Sequence, residues 1–236
     1  ATAARAGLDI EFQKVLPGRP NVFARLSPSG KTRQTILLAP HLDTVNVVDE
    51  SQFKPVKQGG KMSGRGACDT KGSVAAMFTA LCDLAKSTKR PRETEIIFVG
   101  LVDEEFGQSG SRFLAEKKFK ADLAIVGEPT RLIAATAHKG SVWLEVRTRG
   151  RSAHGATPWF GKNAVHEMAR VVDAIETDFA SRLSARKHPL LGQGSVSVGT
   201  IRGGTQTNIV PDQCDIGVDR RTLPGDTESS TRRALH

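Results

Sequence analysis

Three stretches in the first half of the chain are continuously apolar: TILLAP at 35–40, EIIFVGLV at 95–102 and LAIVG at 123–127. Unbroken apolar runs of this length mark strands covered on both faces, as in a parallel sheet, rather than strands with one wet face. Between the first two lies KGSVAAMFTALCDLA, where Val74, Phe78, Leu81 and Ala85 recur at helical spacing and predict one buried stripe. A shorter helix is predicted near SGSRFLAEKKF, just ahead of the third run. Strand–helix–strand alternation of this kind implies an α/β layer with parallel strands.

The pattern changes at about residue 139. SVWLEVRTRG alternates, with Val142, Leu144 and Val146 on one side and Trp143, Glu145 and Arg147 on the other, so it predicts a strand with one buried face. NAVHEMARVVDAIETDF follows as a helix whose stripe is Val165, Met168, Val172 and Ile175. SVSVGTI and CDIGVDR read as two more strands, and GDTESSTRRALH as an opening helix. The order β-α-β-β-α is that of a ferredoxin-like split βαβ unit without its last strand. Two domains are therefore expected, 1–138 and 139–236.

Composition narrows the function classes. The net charge of +9 invites a nucleic-acid reading, but Lys and Arg are dispersed and the chain has no Tyr to stack on bases. No nucleic-acid partner is expected, and the charge suits small anionic substrates instead. No run approaches the ~18–20 apolar residues of a membrane span, and ATAARAGLDIEF lacks the basic-then-apolar opening of a signal peptide. Three widely spaced cysteines form no disulfide framework, which suits a reducing, cytoplasmic compartment.

Ligands of open α/β sheets bind outside the carboxyl ends of the strands. His41 and Asp43 follow the first strand, Asp103, Glu104 and Glu105 the second, Glu128 the third, and Asp69 stands just before the long helix. One histidine among several carboxylates is a mixed N/O donor set suited to Zn²⁺ or another divalent first-row ion. Adjacent glutamates leaving a strand point in different directions. One can hold metal while its neighbour acts as base on a bound water.

The segments APHLDTV, SGRGACDTKG, VDEEFGQSGS and VGEPT, continued by AHKG, GRSAHGATP, GGTQTNIVP and DRRTLPGDT, run in order through nearly the whole chain. Together they resemble the dinuclear zinc amidohydrolase and exopeptidase family of acetylornithine deacetylase, succinyl-diaminopimelate desuccinylase, aminoacylase and glutamate carboxypeptidase. The resemblance implies a zinc-exopeptidase-like catalytic sheet, here partial, followed by a ferredoxin-like lid that forms a homodimer. It implies two Zn²⁺ ions per active site, with Co²⁺ or Mn²⁺ as substitutes. His41 and Glu128 would hold one ion, Glu105 the other, and Asp69 would bridge them through a loop whose Asp69–Thr70 bond is cis. Glu104 would be the general base and acid, with Asp43 orienting His41 from behind. In the lid, His154 would steady the developing oxyanion, Asn208 would lie near substrate and Arg221 would grip its carboxylate. Read without the resemblance, His154 caps a loop, Asn208 serves a turn, and Arg221 pairs with Asp219 or Asp226.

The implied reaction is hydrolysis of an N-acyl amide or peptide bond in a small carboxylate-bearing substrate. An acetylornithine deacetylase-like activity leads, with succinyl-diaminopimelate desuccinylase and glutamate carboxypeptidase as alternatives. A different class is a non-catalytic dimerisation or binding fragment. The family's remaining histidine ligand comes from beyond the lid, so a chain ending at His236 is expected to be truncated. His236 is given no ligand role.

Overall fold

The computed structural model describes residues 1–235 and divides the chain into two compact units, Ala1–Ile133 and Ala134–His236. His236 itself lies outside the described residues.

The first unit opens with a short helix, α1 (Thr2–Arg5), and a hairpin of β1 (Asp9–Leu16) and β2 (Arg19–Leu26). Pro17 and Gly18 form the two-residue turn, and Gly18 takes φ +68°, a value open to glycine at little cost. Then come β3 (Gln34–Leu38), a small ribbon of β4 (Val56–Gln58) and β5 (Lys61–Ser63), α2 (Gly72–Lys86), β6 (Thr94–Gly100), α3 (Ser109–Glu116) and β7 (Leu123–Ile125). The sheet order is β1-β2-β6-β3-β7. The three strands predicted from apolar runs are mutually parallel. The hairpin adds an antiparallel edge through β2–β6, so the sheet is mixed rather than wholly parallel.

Alternate residues of β6 explain its unbroken hydrophobicity. Phe98 faces a cluster with Ala24, Leu26, Leu81 and Cys82, whereas Ile97 and Val99 face one with Phe23, Leu37 and Leu114. Helix α2 covers one side and α3 the other. Wholly buried side chains such as Leu26, Leu81 and Ile97 each contribute roughly 1.5–3 kcal/mol of burial. The same reasoning fails for LAIVG. Leu123 and Ile125 of β7 are 53% and 45% exposed, and Val126 is 61% exposed. β7 is the edge strand, and among the described residues no layer covers it.

The second unit runs β8 (Gly140–Arg149), α4 (Ala164–Ala174), a π-type stretch at Ile175–Phe179, α5 (Ala180–Ala185), a minimal ribbon of β9 (Lys187–His188) and β10 (Gly192–Gln193), β11 (Ser195–Gly203), β12 (Gln213–Thr222) and α6 (Glu228–Ala234). The order β11-β12-β8 is that of a split βαβ, with β12 inserted antiparallel between β8 and β11, the two strands that the helical crossover joins. The helix begins at Asn163, whose Oδ1 accepts from the backbone N–H groups of Val165 and His166. Its predicted stripe is the buried one: Met168 and Ile175 pack with Leu144, Cys214, Ile216 and Val218. The helical run continues past the predicted Phe179 to Ala185. Thr227 and Ser230 cap α6 reciprocally.

Candidate metal centre

The parallel register brings the ends of β6, β3 and β7 to one edge. Leu101 N–H donates to Pro40 O at 2.9 Å, Leu42 N–H to Leu101 O at 2.7 Å and Ala39 N–H to Ile125 O at 2.9 Å. His41 emerges there 2% exposed, and its Nε2 lies 3.0 Å from Asp69 Oδ1, 3.8 Å from Glu128 Oε1 and 4.0 Å from Glu104 Oε2. Two groups of donors share this histidine, His41–Asp69–Glu128 and His41–Glu104–Glu105, each with all its donor atoms within 4.8 Å of one another. Residues spread from 41 to 128 thus converge on one point.

The charges there are mutually unfavourable without a cation. Burial by itself would lower the His41 pKa. The hydrogen bond to Asp69 and the charges of Glu128, Glu104 and Asp69 together hold it above the usual histidine range. Glu104 and Glu128 are both raised above the ordinary carboxylate range, first by burial and then by their acidic neighbours, with His41 offsetting part of the shift. A divalent ion fits this set. Zn²⁺ bonds of ~2.0–2.1 Å in a tetrahedron place donors roughly 3.3 Å apart. The His41–Asp69 and His41–Glu128 separations of 3.0 and 3.8 Å bracket that spacing.

His41 is oriented from behind by Asp43, but chiefly through the main chain. Nδ1 lies 3.1 Å from the Asp43 carbonyl oxygen and 3.6 Å from its Oδ1. With Nδ1 donating, loss of the Nε2 proton now shared with Asp69 would free the Nε2 lone pair for a cation. The Asp43 carboxylate also accepts the backbone N–H groups of Glu104 at 3.1 Å and Glu105 at 3.2 Å, and so holds the neighbouring acidic loop. Glu105 Oε1 accepts from Val45 N–H at 3.3 Å. The Asp69–Thr70 peptide is cis. Thr70 is fully buried, and its hydroxyl donates to Gly127 O, joining the Asp69 loop to the residue before Glu128. Arg19 and Asn21 carry no motif in the sequence, which also assigns Thr70 no role beyond the expected cis bond.

The second unit holds the other three candidates. His154 and Asn208 sit on adjacent exposed loops, joined by Gly155 N–H donating to Asn208 O at 2.7 Å and by a bridge between His154 and Ile209. A Cβ on Gly155 would stand 2.9 Å from that same oxygen, so the approach needs glycine. His154 Nδ1 accepts the Ala156 N–H at 3.1 Å, which leaves Nε2–H as a free-facing donor. Arg221 lies apart from this pair on the exposed side of β12, its Nε donating to Asp219 Oδ2 at 2.9 Å. Arg220 points the other way, 5% exposed, and pairs with Asp226 at 3.2 Å.

Comparison with known proteins agrees with both units. The model of peptidase family M28 matches residues 21–141, and that of the peptidase dimerisation domain matches residues 136–236. The chain belongs to the zinc exopeptidase family. Solved structures of this exopeptidase fold include a tripeptidase from Staphylococcus aureus, 23% identical with a TM-score of 0.69, over 99% of this chain and 62% of that one. An M20 family metallo-carboxypeptidase from Sulfolobus solfataricus matches at 17% identity and TM-score 0.74, over 99% of this chain and 67% of that one. A dipeptidase from Saccharomyces cerevisiae matches at 16% identity and TM-score 0.70, over 99% and 65%. At these identities the likeness is one of fold, and the chain spans 62% of the tripeptidase's length. No helix among the described residues is long and apolar enough to cross a membrane.

Proposed function

We propose that this chain carries the metal centre of a hydrolase that cleaves an amide or peptide bond in a small, carboxylate-bearing substrate. The convergence of His41, Asp69, Glu104, Glu105 and Glu128 beyond the ends of the parallel strands β3, β6 and β7 carries the reading. His41, Asp69 and Glu128 would hold one ion, and the family resemblance assigns Asp69 and Glu105 to a second. Zn²⁺ bound there would polarise the scissile carbonyl and acidify the attacking water. Glu104 takes the water's proton and returns it to the leaving amine. Asp43 keeps Glu104 and Glu105 in register through their main-chain N–H groups.

In the second unit, His154 offers the Nε2–H that an oxyanion needs, Asn208 stands beside it, and Arg221 supplies a guanidinium for a carboxylate. These three roles are supported by the family resemblance and by the side chains' exposure. Homodimerisation through residues 136–236 is supported by the match to the dimerisation domain. The three unpaired cysteines suit a reducing cytoplasm.

Tripeptidase, dipeptidase and carboxypeptidase relatives favour a short peptide, whereas the sequence motifs lean towards N-acetylornithine. The test is a hydrolysis panel run after zinc loading: N-acetylornithine, N-succinyl-diaminopimelate, a glutamyl conjugate, and di- and tripeptides with free or amidated C-termini. Metal retention with hydrolysis only of free-carboxylate substrates supports the proposal. Metal-independent binding with no hydrolysis would favour a dimerisation module instead.

A further inference from the structure

Glu104 and Glu105 follow the end of the parallel strand β6, but their loop is held by the antiparallel hairpin beside it. We propose that Arg19 and Asn21 of β2 are positioning residues for Glu104 and Glu105, an inference that rests on the metal-hydrolase reading above. Strand β2 pairs antiparallel with β6, from Leu26 opposite Ile96 to Val22 opposite Gly100. The start of β2 therefore lies beside the end of β6, where the acidic loop begins.

Asn21 is 0% exposed. Its Oδ1 accepts the Val102 N–H at 3.1 Å, while Nδ2 donates to Gly110 O at 3.1 Å and to Gln13 Oε1 at 3.0 Å. Val102 is the residue before Asp103-Glu104-Glu105, and Gly110 lies in the first turn of α3. One amide thus holds both ends of the loop. The two ends also bond to each other, with Gly110 N–H donating to Val102 O at 3.0 Å. The fit leaves no room for a side chain at 110, where a Cβ would stand 2.6 Å from Asn21 Oδ1 and 2.6 Å from Val102 O.

Inside the loop, Asp103 turns at φ +65° and is 6% exposed. Its Oδ2 accepts the Ser109 hydroxyl at 2.6 Å. Arg19, two residues before Asn21 and so on the same side of β2, reaches Asp103 Oδ1 at 3.4 Å and Asp43 Oδ2 at 3.9 Å. Those carboxylates are the ones that fold the loop and hold the Glu104 and Glu105 N–H groups. The Arg19 side chain is 47% exposed, so its ion pairs add little to stability. Their consequence is geometric: a displacement of ~1 Å at a reacting group costs on the order of 100-fold in rate.

The test compares Arg19→Gln and Asn21→Ser with Arg33→Gln, a charge-loss control at an exposed pair with Glu93. Zinc affinity is titrated against a chelator, the visible spectrum of the Co²⁺ form is recorded, and kcat and KM are measured on the hydrolysed substrate. Expected for Arg19→Gln and Asn21→Ser are zinc binding weakened about 10-fold, shifted cobalt bands, and kcat down about 10–100-fold with KM little changed. Arg33→Gln should leave all of these at wild-type values. If Asn21→Ser fails to fold, Arg19→Gln at its half-exposed site still decides the question. Wild-type zinc affinity and cobalt bands in folded Arg19→Gln would overturn the inference. If the wild-type chain hydrolyses nothing while the metal readouts move as expected, the hydrolase reading fails and the positioning role stands.

Discussion

Replacing Glu104 by Gln is the sharpest single perturbation of this centre, because the structure allows Glu104 two roles. It belongs to a donor group with His41 and Glu105, yet the proposed chemistry needs it as a base. Of the four carboxylates around His41, Gln at 104 leaves Asp69, Glu105 and Glu128, the three given ligand roles above, in place. Removing one also relieves part of the repulsion that now raises Glu128. The amide keeps the size of the side chain, and the Glu104 N–H can still reach Asp43. Loss of a general base costs about 10²–10⁴ in rate, or roughly 3–5 kcal/mol of transition-state stabilisation. Wild-type and variant protein would be loaded with zinc, desalted, and measured both for metal by elemental mass spectrometry and for kcat/KM. The expected variant keeps its metal and loses turnover by at least about 100-fold. Turnover within tenfold of wild type would remove Glu104 from proton transfer, and joint loss of metal and turnover would make it a ligand.

Three further outcomes are expected. Gly110→Ala should destabilise by about 1–3 kcal/mol, because the new Cβ meets Asn21 Oδ1 at 2.6 Å; an unchanged urea midpoint would refute that packing. Burial pushes the Asp226 carboxyl up, but the Leu223 N–H and the Arg186 and Arg220 guanidinium groups outweigh it and hold its pKa below the usual value. Its stabilisation is therefore present above the unfolded pKa of about 3.9 and lost as pH falls through the lower folded value. Asp226→Asn should lower the thermal midpoint at neutral pH and flatten the decline below about pH 4, and parallel pH profiles for variant and wild type would contradict it. Arg221→Ala should raise KM for a free-carboxylate substrate about tenfold with kcat nearly unchanged; equal loss on the C-terminal amide would reject the carboxylate contact.

The three parallel strands, the two long helices and the strand-end acidic residues were legible from residue order. Apolar runs placed β3, β6 and β7, helical spacing placed the buried faces of α2 and α4, and the rule that ligands bind beyond strand carboxyl ends pointed to His41, Asp43, Asp103, Glu104, Glu105 and Glu128, while Asp69, which precedes α2, and the choice among these residues rested on the family resemblance. Those signals are local: each depends on a residue's neighbours along the chain and on the period of the element it occupies. Which partners those elements would meet emerged only once the chain was folded. LAIVG reads as a doubly covered strand, but its side chains stand exposed because it lies at the sheet's edge. Asp43 reads as a carboxylate behind His41, yet its carbonyl lies nearer the ring and its carboxylate holds the next loop. Asn21 carries no recognisable motif. Antiparallel pairing of β2 with β6 sets it against Val102 and Gly110, some eighty to ninety positions along the chain. A buried amide must find partners wherever the fold leaves them, and no spacing rule along the chain encodes where that will be.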